Sequence, residues 1–259
     1  MIEKEITNAN TNIKKIIAVM SGKGGVGKSS VTSLVALSLK NEGFNVGVLD
    51  ADITGPSIPK IFGVNKERAL SKNDGIIPVE TASGIKIISL NLLVSEEDSP
   101  VVWRGPLISG AVKQFYTDVS WGELDYLLID LPPGTGDVSL TIMQSLPLDG
   151  IIAVTSPQDL VNLIVKKSIN MAKMMSVPLI GIIENMSYFV CDKCNEKHFI
   201  FGESHIDEVA SNEKLKVLYK LPINKNLVSL SDKGQIEDFT TVESDLYLDF
   251  SKNIIDELR

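Results

Sequence analysis

Apolar positions along the chain fall into short unbroken runs. Each is followed by a turn and then by a stretch in which apolar residues recur at helical spacing. "KIIAVM" (15–20) opens the series; a continuous, β-branched run of this length reads as a strand buried on both faces. It breaks into glycines, and "KSSVTSLVALSLKNEG" (28–43) follows as a helix closed by Gly43. "NVGVLD" (45–50), "GIKIISLNLL" (84–93), "YLLIDLP" (126–132), "GIIAVTS" (150–156), "PLIGIIENM" (178–186) and "VLYKLP" (217–222) are predicted as further strands. Helices are predicted over 106–119 and over 159–175, the second capped by Asp159 and unusually apolar. Strands alternating with helices predict a three-layer α/β fold, a mostly parallel central sheet with helices on both faces. No linker or break in composition divides the chain, so the expectation is a polar N-terminal leader over 1–13 and a single domain over 14–259. The stretches 53–83 and 187–205 interrupt the rhythm and are the insertions expected to carry specificity.

Composition narrows the classes. The 259 residues are 44% hydrophobic and 22% charged, ordinary for a globular chain that buries a sizeable core. The net charge of −8 argues against a nucleic-acid partner and against an anionic membrane surface. The first residues, "MIEKEITNANTNIKK", lack the apolar centre of a signal peptide and carry acids that a transit peptide avoids. No apolar run approaches the roughly 20 residues of a membrane span. Two cysteines make no disulfide framework, so the expected compartment is the reducing cytoplasm.

The candidate chemistry begins where the first strand ends. "SGKGGVGKSS" (21–30) fits G-x-x-x-x-G-K-[ST] from Gly22 to Ser29, between a strand and a helix, which is the context this phosphate-binding loop requires. Glycines let backbone N–H groups turn toward phosphate oxygens, and the helix N-terminus adds partial positive charge. The candidate nucleotide contacts are Gly22, Gly24, Gly25, Val26, Gly27, Lys28, Ser29 and Ser30. Lys28 reaches the outer phosphates, and the Ser29 hydroxyl is a ligand for Mg²⁺. Lys23, a second lysine on the loop, is either a solvated charge or a second cation for the phosphates. "VLDAD" (48–52) and "LLIDLPPGTGD" (127–137) put Asp50, Asp52 and Asp130 at strand ends, where open α/β sheets bind ligands. Asp130 is assigned to Mg²⁺, Asp52 to the attacking water and Asp50 to the Mg²⁺ shell; the duller role for each is a helix N-cap.

"YFVCDKCNE" (188–196) holds both cysteines, Cys191 and Cys194. Two thiolates at this spacing are half of a four-ligand metal site. A redox dithiol, a zinc site and an iron–sulfur site share the spacing. His198, four residues past Cys194, is either an extension of the metal site or a loop histidine facing water, and the ligand set leaves it out on the second reading; Lys193 and Lys197 flank the thiols. Met171, Met174 and Met175 suit core packing or a subunit interface. Trp103 and Trp121 are expected to pack around the 106–119 helix, and Arg104 is a candidate contact to phosphate or to a partner chain.

With these motifs in order, "SGKGGVGKSS" resembles the deviant Walker A loop shared by nitrogenase iron protein and the Min and Par ATPases. "VLDADITGPSIPKIFG", "WRGPLISGAVKQF", "YLLIDLPPGTGD", "IIENMSYFVCDKC" and "FIFGE" are similar to the narrower Mrp/Nbp35/ApbC family of iron–sulfur cluster carrier ATPases, over about residues 14–258. The resemblance implies a P-loop ATPase that binds and hydrolyses ATP with Mg²⁺ and works as a homodimer. It implies that Lys23 crosses to the other subunit's nucleotide and that Asn185 recognises adenine. It also implies that Cys191 and Cys194 of two subunits together hold one [4Fe–4S] cluster, destined for apoproteins; Zn²⁺ in the same thiolates stays open. The chain departs from the family at Asp192 and Asn195, where bacterial members commonly carry Pro and Gly, and at Thr54, where Tyr is frequent. The competing reading is a Min/Par-type positioning ATPase on membrane or DNA. The acidic tail "DLYLDFSKNIIDELR" and the net charge oppose it.

Overall fold

A computed structural model describes residues 4–53, 55–72, 75–94, 105–158 and 161–259. Thr54, Trp103, Arg104 and Asp159 lie outside the described residues. Strand β1 (Thr11–Ser21) runs through the centre, followed by α1 (Lys28–Asn41) and β2 (Val46–Asp50). The first insertion folds into α2 (Ile58–Ile61), β3 (Leu70–Lys72), β4 (Gly75–Ile77) and β5 (Val79–Glu80), ahead of β6 (Lys86–Ile88). Next come α3 (Gly105–Thr117), β7 (Gly122–Asp130), α4 (Asp137–Ser145), β8 (Gly150–Thr155), α5 (Val161–Met174) and β9 (Leu179–Glu184). The second insertion holds the short hairpin β10 (Phe189–Val190) and β11 (Lys197–His198). The chain closes with α6 (Ile206–Glu213), β12 (Val217–Lys220), α7 (Lys225–Lys233), α8 (Phe239–Val242) and α9 (Ser244–Leu258).

Eight strands form one sheet in the order β12-β9-β8-β1-β7-β2-β6-β5. Every neighbouring pair is parallel except β5 with β6. Parallel strands need crossover helices, which cover both faces. Alternation along β1 shows the division. Ile16, Ala18 and Met20 face a core shared with α3, α4, α5 and α6. Ile17 and Val19 face a second core built with α1, α2, α7 and α9. The predicted class, a mostly parallel sheet between two helical layers, is the class observed.

One expected strand is shorter than its pattern. Of 84–93 only Lys86–Ile88 is extended, and Leu90–Leu92 tightens into a 3₁₀ turn. The turn forms where Leu92 and Leu93 donate their N–H groups back to Ser89 and Leu90. Ser89 is then free to send its hydroxyl to the neighbouring strand end, 3.3 Å from Asp50 Oδ2. The helix predicted over 159–175 is α5, with residues 159 and 160 outside the described set. Trp121 is fully buried, its indole N–H donating to the carbonyl of Phe115 in α3 at 3.1 Å. Met171 is core, whereas Met174 is exposed.

The polar residues before β1 are not idle. Lys4 Nζ donates to the carbonyls of Met143 and Leu146, both at 2.9 Å, at the C-terminal end of α4. A cation placed on the last carbonyls of a helix satisfies orphan acceptors and complements its dipole. Glu5 adds an ion pair to Lys113 at 3.1 Å.

Candidate nucleotide and metal sites

β1, β2 and β7 end side by side. Register pairs Val19 with Asp130 and Asp50 with Asp130, so both carboxylates reach the carboxyl edge at one level. The loop 22–27 leaves that edge from β1 and delivers Lys28 as the first residue of α1. Gly25 and Gly27 both take φ of +78°, a left-handed backbone that glycine adopts without the Cβ penalty. The loop walls a cavity of about 360 Å³, whose other sides include Asp52, Lys60, Pro133 and Ser231.

Asp130 is wholly buried and three side chains converge on it. Lys28 Nζ lies 2.7 Å from Oδ2. Ser29 Oγ donates to the same oxygen at 2.6 Å, and Thr32 Oγ1 donates to Oδ1 at 2.7 Å. A buried carboxylate must be compensated this way to stay ionised. Thr32 was not among the residues singled out by sequence. It lies four residues after Lys28, one helical turn on and on the same face, a signal that was available.

Asp50 sits beside this group and is also buried. Its Oδ1 accepts the N–H of Asp52 at 3.1 Å, and its Oδ2 accepts the N–H groups of Ser57 and Ile58 at 3.1 and 3.2 Å. Asp50 thus ties down the turn into α2. Burial, and then the neighbouring charge of Asp130, push its carboxyl up to about 8, against the pull of Lys28 and of the backbone N–H groups of Ile58 and Asp52. Asp52, half-buried on the cavity wall, accepts the N–H of Gly55 at 3.2 Å. Lys23 contacts the side-chain oxygen of Gln158, a partner 135 positions away that no local pattern marks.

Asn185 follows the last residue of β9 and is 5% exposed. Its Nδ2 donates to the carbonyl of Val26 at 2.9 Å, and its Oδ1 accepts the N–H of Met186 at 2.9 Å. The amide therefore lies against the phosphate loop. A Cβ on Gly27 would come within 2.1 Å of Asn185 Nδ2, so the loop needs glycine there for space as well as for φ. Met186 itself has φ of +56°, a left-handed value that is strained for a side chain of this kind.

From this pivot the second insertion departs. Both its ends are clipped by one buried carboxylate: Glu184 accepts Ser187 Oγ at 2.6 Å and Ser204 Oγ at 2.8 Å. Within it, β10 and β11 pair antiparallel, with Phe189 opposite His198. The turn between them carries both cysteines, held by Cys191 N–H on the Glu196 carbonyl (3.0 Å) and Asn195 N–H on the Cys191 carbonyl (2.8 Å). Asn195 has φ of +57°, the geometry a glycine would supply at this departure from the family. The thiols are free; Cys194 is exposed and Cys191 partly so. Backbone N–H groups of Lys193 and then Cys194 aim at the Cys191 sulfur and pull its thiol below the ordinary value, which favours the thiolate that binds metal. The sulfurs of Cys191 and Cys194 and a ring nitrogen of His198 lie within 4.8 Å of one another. The structure thus brings to the thiols a histidine that the sequence reading set apart. Lys197 lies over the Tyr188 ring at 4.4 Å, and Asp192 pairs with Lys225 at 2.9 Å. The loop and this insertion leave the same carboxyl edge of the sheet, from β1 and β9.

Residues 12–258 match the family model described as "ParA: NUBPL iron-transfer P-loop NTPase". An iron-sulfur cluster carrier protein of Methanocaldococcus jannaschii is 51% identical over 233 residues, spanning 90% of this chain and 80% of that one. The iron-sulfur cluster carrier protein of Clostridium perfringens is 47% identical over 243 residues, spanning 91% and 85%. Among solved structures, a nucleotide-binding protein of Archaeoglobus fulgidus, in complex with ADP and with Co, is 44% identical. It superposes with a TM-score of 0.79 over 88% of this chain and 89% of that one. The cell division ATPase MinD of Pyrococcus furiosus shares the fold, with a TM-score of 0.71 at 17% identity. A phosphate loop at the head of the sheet and this breadth of similarity lead to one conclusion: the chain belongs to the NUBPL iron-transfer family of ParA-type P-loop NTPases.

Proposed function

We propose that the chain is an ATP-dependent iron–sulfur cluster carrier: a single P-loop ATPase domain over 14–259 that works as a homodimer in the cytoplasm. It holds a [4Fe–4S] cluster between two subunits and passes it to apoproteins. The observation that carries the reading is the shared edge. The phosphate loop and the CxxC insertion leave the same end of the sheet, and Asn185 touches the loop six positions before Cys191. The relatives named as cluster carriers support it. The Min/Par alternative has only the distant likeness of fold behind it.

In this reading the backbone of Gly22, Gly24, Gly25, Val26, Gly27, Ser29 and Ser30 binds the phosphates. Lys28 offsets charge at the outer phosphate, and Lys23 reaches toward the nucleotide of the other subunit. The oxygen donors of Ser29 and Asp130, with Asp50 behind them, suit Mg²⁺, a hard cation. When bound, that ion would offset the negative charge of the phosphates. Asp52, on the cavity wall, positions the attacking water, and Asn185 exchanges loop contacts for the adenine base. Hydrolysis acts as a switch between two dimer states rather than as chemistry on the cluster. Cys191 and Cys194 of each subunit supply four thiolates in all; a two-fold axis makes that count automatic. The charge of −8 leaves nucleic acid and membrane out of the partner set.

The test is anaerobic reconstitution with iron and sulfide, reading iron per dimer and visible absorption. Native protein is expected to load one cluster per dimer. Cys191→Ala is expected to lose the cluster and keep nucleotide binding. Lys28→Ala is expected to load but fail to transfer. A protein that stays monomeric with and without ATP sinks the proposal.

A further inference from the structure

We propose that Lys60 is a further nucleotide-binding residue, whose ammonium reaches from α2 to hold the terminal phosphate of a nucleoside triphosphate. The inference rests on the nucleotide reading of the cavity and deepens it, and it owes nothing to the cluster. The charges around the cavity carry it. Among the described residues on its walls the cations are Lys28 and Lys60, and the anions are Asp52 and Asp232. Lys28 is already neutralised by buried Asp130 at 2.7 Å. Lys23, the other lysine of the loop, contacts Gln158. Lys60 meets no carboxylate within ion-pair distance among the described residues. A triphosphate brings several negative charges, and Lys60 is the wall cation left to meet them.

The fold delivers this lysine on a fixed backbone. α2 buries Ile58, Pro59 and Ile61 and leaves Lys60 exposed. Both ends of the helix are pinned. Asp50 Oδ2 accepts the N–H groups of Ser57 and Ile58 at 3.1 and 3.2 Å. Beyond the other end Gly63, with φ of +73°, meets Gly234, with φ of +71°, the residue that closes α7. A Cβ on Gly234 would come within 2.5 Å of Gly63 Cα and 3.0 Å of the Lys60 carbonyl. Only the flexible stem of Lys60 is left to move.

The pin at Asp50 also sets which phosphate is met. Asp50 lies in register with Asp130, and Asp130 holds Lys28. α2 therefore starts beside the outer-phosphate end of the loop. An ammonium is a point charge that suits a phosphate oxygen without demanding a fixed fork. Because Lys60 is exposed, water and salt screen the contact more than they would a buried pair.

The experiment titrates ADP and the non-hydrolysable triphosphate AMP-PNP, each with Mg²⁺, into full-length protein by calorimetry. Lys60→Met keeps the length of the stem and removes the charge. It should bind AMP-PNP about tenfold more weakly, roughly 1.4 kcal/mol, and ADP within about twofold of native. Its AMP-PNP affinity should also fall less steeply with added salt than that of native protein. Lys60→Arg, which keeps the charge, should stay near native for both. So should Lys66→Met, which removes the same charge from a residue outside the cavity walls. Urea midpoints without nucleotide check that each variant is folded. Native AMP-PNP affinity in Lys60→Met overturns the proposal. So does a loss shared equally by ADP and AMP-PNP, as a distorted cavity would give, or a matching loss in Lys66→Met. Native protein that binds neither nucleotide overturns the nucleotide reading itself. Binding lost in Lys28→Ala and kept in Lys60→Met leaves that reading standing and sinks this inference alone.

Discussion

The Asn185 side chain donates to the Val26 carbonyl at 2.9 Å, so a residue at the end of β9 holds the middle of the phosphate loop. Gly27, next in the loop, has no room for a methyl group beneath that amide. Gly27→Ala should therefore displace either the loop or Asn185. The left-handed backbone alone costs alanine roughly 1–2 kcal/mol, and the overlap adds to it. ADP affinity measured by calorimetry should fall at least about tenfold, with the far-ultraviolet spectrum unchanged. Native affinity in the variant would show that the loop has slack the structure does not suggest.

Lys28 and Asp130 form a buried pair at 2.7 Å. Removing one member of such a pair strands the other charge, at a cost of about 3–5 kcal/mol. Lys28→Ala should lower the urea midpoint accordingly in the absence of nucleotide. Adding Asp130→Asn to it should restore much of the loss, because the amide keeps partners for Ser29 and Thr32 without the charge. A double variant no more stable than Lys28→Ala would contradict this account.

Asp50 gives the nucleotide-free protein a pH dependence of definite sign. Its carboxyl is raised to about 8 by burial and by Asp130, while in the unfolded chain it titrates near the ordinary value of about 3.9. Between these values the folded state binds the extra proton, so the contribution is full below the lower value and is lost as pH rises through the upper one. Urea midpoints should decline from pH 6 to pH 9 in native protein and decline less in Asp50→Ala. Parallel pH profiles for the two proteins would remove Asp50 as the cause.

Glu184 holds Ser187 and Ser204, the two ends of the cysteine-bearing insertion. Glu184→Ala leaves both hydroxyls without their acceptor and should loosen the insertion while sparing the phosphate loop. Limited proteolysis is expected to cut within 187–205 several times faster, and metal should be retained less well at unchanged ADP affinity. Cleavage at the native rate would mean that other contacts fasten the insertion.

The layers of the fold were legible because continuous apolar runs and helical periodicity are local signals. β2 ends at Asp50 as its pattern predicts, and β7 carries Asp130 at its end, two residues short of the predicted run 126–132. What escaped depends on neighbours distant in sequence. Ser89 leaves its strand to meet Asp50, from a parallel neighbour 39 positions away. The β3 and β4 strands are three residues each, too short for an alternation to register. At the thiols, sequence spacing alone left His198 between a loop residue and an extension of the metal site. Only the pairing of Phe189 with His198 folds it back onto Cys191. Asn185 was marked through resemblance, and its grip on Val26 could not be read from either segment alone.

The double clasp at Glu184 also makes the metal-bearing segment a cassette. Its entry and exit close on one carboxylate, whereas Met186, just upstream, is coupled through Asn185 to the loop. A transplant that swaps 188–203 between relatives should exchange thiolate chemistry and leave the nucleotide end unaltered. One spliced two residues earlier would disturb both.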